Sequence, residues 1–354
     1  MRKQLKIGIV GMGAIGNVHA DAYRATGAAE IAAICDVDTT KIAATGDRLG
    51  IQRRLTDYRD LLAEPIDAVL VCVGNTLHQE VAVAALKAGK HVFLEKPMAM
   101  NASQAQAIAA AAKKARKVLQ MGMVHRQNPT AMIIREYVKD GLFGEIYHLR
   151  AVMLRRRGIP GLGGWFTTKA QSGGGPMIDL GVHWFDLAMW MSGLWNPVRV
   201  SAKTYAKFGS KMREYRYVGM WAGPPKFDGV FDVEDYSTGI VHFATGATLS
   251  FEISWAGNTD EESYVEVLGA QGGARYTTDG KPVRILTEHQ NRPVDITPQY
   301  NVNANGFHGE AKSFVAACLG EAPPAATAAE GVIVMRLLDA IYASSAAGKE
   351  VEIK

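Results

Sequence analysis

At 354 residues, with 48% hydrophobic and 21% charged residues, this is a globular sequence too long for one ordinary core, so two domains are expected. The net charge of +4 is small and scattered, which gives no footprint for nucleic acid, and no apolar run is long enough to span a membrane. Cys35, Cys72 and Cys318 stand far apart in apolar runs with no C-x-x-C pair, which excludes a disulfide framework and fits buried fillers in a cytoplasmic protein.

The chain opens on Met1-Arg-Lys and turns apolar, like a leader peptide, but the apolar part is itself a strand and turn that cleavage would destroy. Ile7, Ile9 and Val10 form a short β-branched run, and Gly11, Gly13 and Gly16 follow at the G-x-G-x-x-G spacing. In that pattern the first glycine permits the turn, the second lets backbone approach a pyrophosphate, and the third lets the new helix pack on the strand. Ala14 and Ile15 then lie at a helix start, where free N–H groups and a partial positive charge suit phosphates. A second apolar run, 31–35, ends at Asp36, 20 positions after Gly16, where a dinucleotide fold places the carboxylate that accepts from ribose hydroxyls. The bland alternative is an acid that merely ends a strand.

The alternation of strand and helix continues to about residue 125, as a parallel sheet with crossover helices requires. A helix through Arg48 and a strand at 51–55 precede the continuous apolar run 68–73, a strand buried on both faces that delivers Asn75 and His78 at its carboxyl end. A helix at 80–87 leads to the strand at His91, which delivers Glu95-Lys96-Pro97. Pro97 restrains Lys96 to non-helical geometry, so the lysine is held in place; a surface Glu-Lys pair is the competing reading. A helix at 102–115, a strand at 118–124, the crossing at His125-Arg126 and a helix at 131–139 complete the first half.

Beyond Gly144 the period changes. Strands are expected at 146–154, 199–205, 237–243, 248–255, 263–268 and 285–287, with helices at 176–191 and 307–319 closing this sheet and another at 328–345. The second domain reads as α+β, and a broad sheet with one uncovered face favours a homo-oligomer. The loop 155–175 holds seven glycines with Trp165 and Phe166, and 207–232 is rich in Tyr, Trp, Gly and Pro. Aromatic loops of this length stack on sugar rings or join subunits. The basic run Arg155-Arg156-Arg157 is a solvated face, an anion site or a subunit contact.

Gly173-Gly-Gly-Pro leads into a helix carrying Asp179 and His183 four apart, with Asp186 three further on. One helix face therefore presents a carboxylate and an imidazole, a pair suited to acid–base work. A buried hydrogen bond, a metal half-site and an exposed contact remain open, the metal being disfavoured because no other ligand set accompanies the pair.

With these motifs assembled, the chain resembles the Gfo/Idh/MocA family of oxidoreductases over its full length: Gly11-x-Gly13-x-x-Gly16 with Asp36, Asn75 and His78, Glu95-Lys96-Pro97, and Gly173-Gly-Gly with Asp179-x-x-x-His183. The resemblance implies an α/β architecture: an N-terminal Rossmann NAD(P)-binding domain, residues 1–125, and a C-terminal α+β domain with a large open mixed sheet, residues 126–354, the active site lying between them. It implies Lys96, Asp179 and His183 as catalytic residues, with Lys96 donating to the reacting oxygen, His183 taking the hydroxyl proton and Asp179 orienting substrate and imidazole. Gly11, Gly13, Ala14, Ile15, Gly16, Asp36, Asn75, His78, Glu95 and Lys96 are then cofactor residues, and Arg126 and Trp165 join the catalytic three around a sugar or cyclitol.

Asp36 and Asp38 repel a 2′-phosphate, with Lys41 the sole nearby cation, so NAD is expected in preference to NADP. The expected activity is hydride transfer between a secondary hydroxyl of a sugar, sugar derivative or cyclitol and nicotinamide, without metal. A redox-neutral enzyme with tightly held NAD, acting as an oxidoreductase or in glycosidic cleavage, and a non-catalytic NAD-dependent sensor are the alternatives. A dimer or tetramer through the C-terminal sheet is expected. Two departures stand out: His125 stands where the family often has an arginine before Arg126, and the segment 207–232 is long.

Overall fold

The computed structural model describes residues 4–301 and 304–354. By contact it divides into two units, residues 1–127 with 305–332 and residues 128–304 with 333–354. The first half of the chain runs β1 (Leu5–Val10), α1 (Ala14–Ala25), β2 (Ala29–Cys35), α2 (Thr39–Leu49), β3 (Arg53–Leu55), α3 (Tyr58–Ala63), β4 (Ala68–Val71), α4 (His78–Lys87), β5 (His91–Leu94), α5 (Ala102–Ala115) and β6 (Leu119–Met121). Then come α6 (Pro129–Lys139), β7 (Ile146–Leu154), α7 (Lys169–Ser172), α8 (Val182–Ser192), β8 (Pro197–Tyr205), β9 (Tyr236–Phe243), β10 (Thr248–Ser254) and β11 (Glu262–Gly269). The chain closes through β12 (Gly272–Thr277), β13 (Ile285–His289), β14 (Arg292–Ile296), α9 (Gly306–Cys318), α10 (Ala328–Ala347) and β15 (Val351–Glu352).

In the first unit six strands form a parallel sheet in the order β3-β2-β1-β4-β5-β6. The apolar runs of β4 and β5 are covered on both faces, with Val69, Leu70, Val71 and Phe93 inaccessible, as a sheet flanked by helices demands. The order reverses between β1 and β4, so the turns after these strands flank the switch point where open α/β sheets take ligands.

The helix expected to close the second sheet, α9, instead packs on the first unit. Ala311, Phe314 and Val315 join the cluster of Ile7, Tyr23, Ile34 and Phe93, and the Phe314 ring lies edge-on to Phe93 at 5.7 Å and to Tyr23 at 6.2 Å. An amphipathic pattern shows that a helix has a face to bury but not which sheet receives it.

Arg126 lies in the short turn after β6 and is 1% exposed. Its Nη1 donates to Ala325 O at 2.8 Å and to Glu330 Oε2 at 3.0 Å, so this guanidinium fastens the returning segment of the first unit, a role other than the expected substrate contact. Replacing Arg126 with Met should lower stability by about 2 kcal/mol in urea titration. This is less than the loss of a fully buried pair, because Glu330 keeps the N–H and hydroxyl of Thr327 and is partly solvated.

In the second unit nine strands form a mixed sheet in the order β14-β13-β12-β11-β7-β10-β9-β8-β15, in which β7 and β10 pair parallel. Helix α8 packs on one face, with Phe185 edge-on to Phe251 at 5.1 Å and the Trp184 indole donating to Tyr264 O at 3.0 Å. The other face carries a charge ladder in which Glu266 bridges Arg150 at 2.8 Å and Arg275 at 3.0 Å. Strands β12, β14 and β15 were not anticipated, because β12 opens on Gly272-Gly273, β14 carries Pro293 and β15 has two residues, all of which weaken the period-2 signal.

Candidate nucleotide and catalytic sites

Within the first unit the glycine turn has the shape its spacing implies. Gly11 has φ +97°, and a Cβ there would run into the Cys72 carbonyl. Gly13 is the opposite case: a Cβ would meet nothing within 4 Å, leaving a cradle that only a side chain or a ligand would fill. At Gly16 a Cβ would strike Gly11 O, so the third glycine is required by helix packing. No side chain caps α1, so its first turn, Ala14 and Ile15 included, presents uncapped N–H groups, the arrangement that binds a pyrophosphate.

Asp36 faces this turn: its Oδ2 accepts from Met12 N at 2.7 Å and its Oδ1 from Asp38 N at 2.9 Å. Asp38 caps α2 through Thr40 and Lys41 N–H, which hold its carboxyl below the usual range, and Lys41 Nζ lies 3.6 Å from it. Lys41 is thus engaged with a carboxylate of its own helix start. These residues fit a dinucleotide whose ribose hydroxyls are free.

At the ends of β4 and β5, Asn75 is buried in the turn 75–77, and Lys96 follows Glu95 with a cis peptide to Pro97. His78 and Glu95, expected to bind cofactor, are buried and engaged inside the first unit. His78 Nδ1 lies 2.7 Å from Pro97 O and Nε2 3.1 Å from Val73 O. Glu95 Oε1 lies 2.6 Å from His19 Nε2, and Oε2 accepts from Lys96 N at 3.0 Å. Burial opposes the Glu95 charge, but the His19 bond and the charges of His19 and Lys96 prevail and hold the carboxyl below its usual range. His125 is pushed down to about 4 by desolvation and then by the Lys96 ammonium. Neighbouring parallel strands bring these two together, since Leu94 of β5 registers with Met121 of β6, and the result is a neutral imidazole beside the lysine at neutral pH.

Within the second unit the glycine run Gly173-Gly174-Gly175 is dictated by close packing. Gly173 adopts φ +89° to end α7, a Cβ on Gly174 would strike the Tyr342 hydroxyl, and one on Gly175 would strike Glu234 O. The expected single helix 176–191 begins instead as a π-helical turn, Met177–Gly181, before α8; wide turns of this kind recur at functional sites. Asp179 lies in the π turn and His183 in the first turn of α8. Between Met177 and Ser192 every residue is buried except Asp179, His183 and Trp190, which are half-buried. Asp179 Oδ2 accepts from the Trp255 indole N–H at 3.0 Å, and the charge of Asp179 favours the Arg155 guanidinium, whose pKa desolvation lowers.

Sequence reasoning missed the groups that hold this helix. Glu234, buried and distant in sequence, accepts from Gly175 N and Met177 N at 3.1 Å and from the Tyr342 hydroxyl at 2.9 Å. Its neighbour Asp235 accepts from Lys207, Phe208 and Gly209 N–H at 2.6–3.1 Å. The basic run ties loops together: Arg157 donates to Asn258 Oδ1 at 2.8 Å and to Gly257 O at 3.1 Å, with its guanidinium over Phe208. Trp165, 43% exposed, stacks on Phe166 at 3.8 Å, and Phe166 meets the exposed Trp221 edge-on at 5.4 Å. Among the described residues no group of three or more ligating side chains could hold a metal ion, and no helix is long and apolar enough to cross a membrane.

Comparison with known proteins gives a consistent result. The family model described as "Oxidoreductase family, NAD-binding Rossmann fold" matches residues 5–123, and that of the GFO/IDH/MocA C-terminal domain matches residues 132–275. The chain is 33% identical over 353 residues to D-glucoside 3-dehydrogenase of Escherichia coli (strain K12), covering 99% of this chain and 97% of that protein. It is 32% identical over 190 residues to myo-inositol 2-dehydrogenase of Thermotoga maritima, covering 53% and 55% of the two chains. Among solved structures, an oxidoreductase domain protein from Kribbella flavida has a TM-score of 0.88 at 26% identity, over 99% of this chain and 100% of that one.

Proposed function

Since the chain belongs to the Gfo/Idh/MocA family of NAD-binding oxidoreductases, we propose that it oxidises a secondary hydroxyl of a sugar, sugar derivative or cyclitol, with Lys96, Asp179 and His183 as its catalytic residues. The observation that carries the reading is the helical stretch from Met177 to Ser192, where the carboxylate Asp179 and the imidazole His183 are, with Trp190, the residues left partly open to solvent. A half-buried acid–base pair on a mostly buried helix is placed for a reactant rather than for the core.

Bound NAD supplies the hydride acceptor. Gly11, Gly13, Gly16 and the N–H groups of Ala14 and Ile15 would hold its pyrophosphate and Asp36 its ribose, with Asn75 in the neighbouring turn. His183 takes the hydroxyl proton. Lys96 donates to the oxygen as negative charge grows on it, and Asp179, fixed by the Trp255 indole, orients substrate and imidazole. Trp165 gives one face of a sugar ring an apolar wall. Arg126 has no part in this scheme.

Absorbance of NADH across free sugars, glycosides, sugar acids and inositols, with NAD and NADP in parallel, tests the proposal. Turnover of one class with NAD supports it, and silence across the panel by a protein that binds NAD overturns it. Asp36→Ala should weaken NAD binding about 10- to 100-fold, the loss of charge-assisted hydrogen bonds, and weaken NADP binding far less, as calorimetric titration would show. The open face of the second sheet, which carries exposed Tyr205 on β8, exposed Leu286 on β13 and the Arg150–Glu266–Arg275 ladder between them, is the surface we assign to a homo-oligomer, checked by light scattering. The free, buried thiols of Cys35 and Cys72 support a cytoplasmic setting.

A further inference from the structure

The Glu-Lys-Pro triplet is gripped from both sides by imidazoles of different helices. On one side His19, inaccessible to solvent on α1, reaches Glu95 Oε1 at 2.6 Å, while Glu95 Oε2 receives the Lys96 N–H at 3.0 Å. On the other side His78, at the start of α4, reaches Pro97 O at 2.7 Å and Val73 O at 3.1 Å. The His19 ring is wedged edge-on against Phe93 at 4.9 Å and Phe307 at 5.5 Å, so its reach toward Glu95 is fixed by packing. A lysine side chain has much rotamer freedom to lose, and anchoring its backbone at both flanks fixes the point from which that side chain starts.

We propose that His19 is a positioning residue which, through Glu95, fixes the backbone of Lys96, with His78 completing the clamp through Pro97. This assigns Glu95 and His78 to the lysine rather than to the cofactor, and it makes α1 serve two ends: its first turn faces the pyrophosphate and its second turn holds the catalytic cation. The inference rests on the dehydrogenase reading for its kinetic consequence but not for its structural one.

Two readouts separate them. Backbone amide exchange followed by mass spectrometry should show at least 10-fold faster exchange over residues 95–98 in His19→Leu, with β1 and β4 unchanged, while His19→Gln, whose amide N–H still reaches Glu95, keeps wild-type protection. In turnover, His19→Leu should lose about 10- to 100-fold in kcat with less than a 3-fold change in the Kd for NAD, and His19→Gln should recover most of it. Unchanged protection at 95–98 in His19→Leu overturns the inference whatever the activity, as does lost protection with wild-type kcat. Wild-type inactivity on the whole panel overturns the dehydrogenase reading alone, because the exchange result still decides the clamp. If His19→Leu does not fold, Glu95→Ala and His78→Gln carry the same measurements, with loss of protection at 95–98 again expected and its retention in both overturning the clamp.

Discussion

Lys96→Ala should reduce NAD-dependent oxidation by about 10³-fold, equivalent to about 4 kcal/mol of transition-state stabilisation, while NAD still binds. The argument is electrostatic. Oxidation of an alcohol builds negative charge on an oxygen as its proton leaves, and a cation held in place meets that charge without reorganising water. The half-buried Lys96 ammonium lies close enough to Glu95 and His125 to help lower the pKa of each. Substitution with Arg should not restore the rate, because a planar guanidinium cannot take the position of a compact ammonium. Single-turnover kinetics with saturating NAD is the decisive measurement: loss of the hydride step with an unchanged Kd for NAD supports the assignment, and a change confined to KM contradicts it.

The second large effect is expected far from any reacting atom. Glu234→Ala strips the acceptor from two buried backbone N–H groups and the Tyr342 hydroxyl. Each orphaned donor costs about 1–3 kcal/mol, so a loss of about 3–5 kcal/mol in urea titration is expected after allowing for non-additivity. Activity should fall as well, since the helix these donors begin carries Asp179 and His183. Glu234→Gln keeps one acceptor oxygen and should cost about 1–2 kcal/mol.

The pH dependence has a definite sign. Burial raises the Glu234 carboxyl above its usual range despite the bonds it accepts. Its contribution to stability is therefore complete below the ordinary carboxyl pKa and is lost as pH rises through the raised value. The destabilisation by Glu234→Gln should accordingly be larger at pH 5 than at pH 8; the reverse order would show that the carboxylate, not the acid, is the form the fold prefers.

How much of this was legible beforehand depends on the range over which each signal acts. The glycine turn, Asp36 and the apolar strands around them are local patterns, and the parallel sheet follows from them. The strand 146–154 and the helix 102–115 were bounded by their own periodicity. What sequence could not show were partners 59 to 108 positions apart. Glu234 stands in a stretch with no motif, and only the fold brings it under Gly175. His19 sits at an unremarkable helical position, and Trp255 ends a strand like any aromatic. His78 and Glu95 carried the right chemistry for a cofactor, but their hydrogen bonds run inward to Pro97, Val73, His19 and Lys96. The π turn at 177–181 was hidden because its residues, Met-Ile-Asp-Leu-Gly, read equally well as α-helix.

The adjacent carboxylates Glu234 and Asp235 hold two different segments. Asp235 gathers the N–H groups of residues 207–209 and donates its own to Tyr205 O, so the whole excursion from 206 to 234 enters and leaves through one knot at the sheet edge. A loop whose ends are already joined costs little more when its interior lengthens, the closure term growing only with the logarithm of its length. Closure therefore sets little limit on the length of 210–231, and what restrains that interior is its docking on the 162–167 loop, through Lys226 N to Leu162 O and Thr167 Oγ1 to Val230 O, while Glu234 next door holds the start of the helix that carries Asp179 and His183.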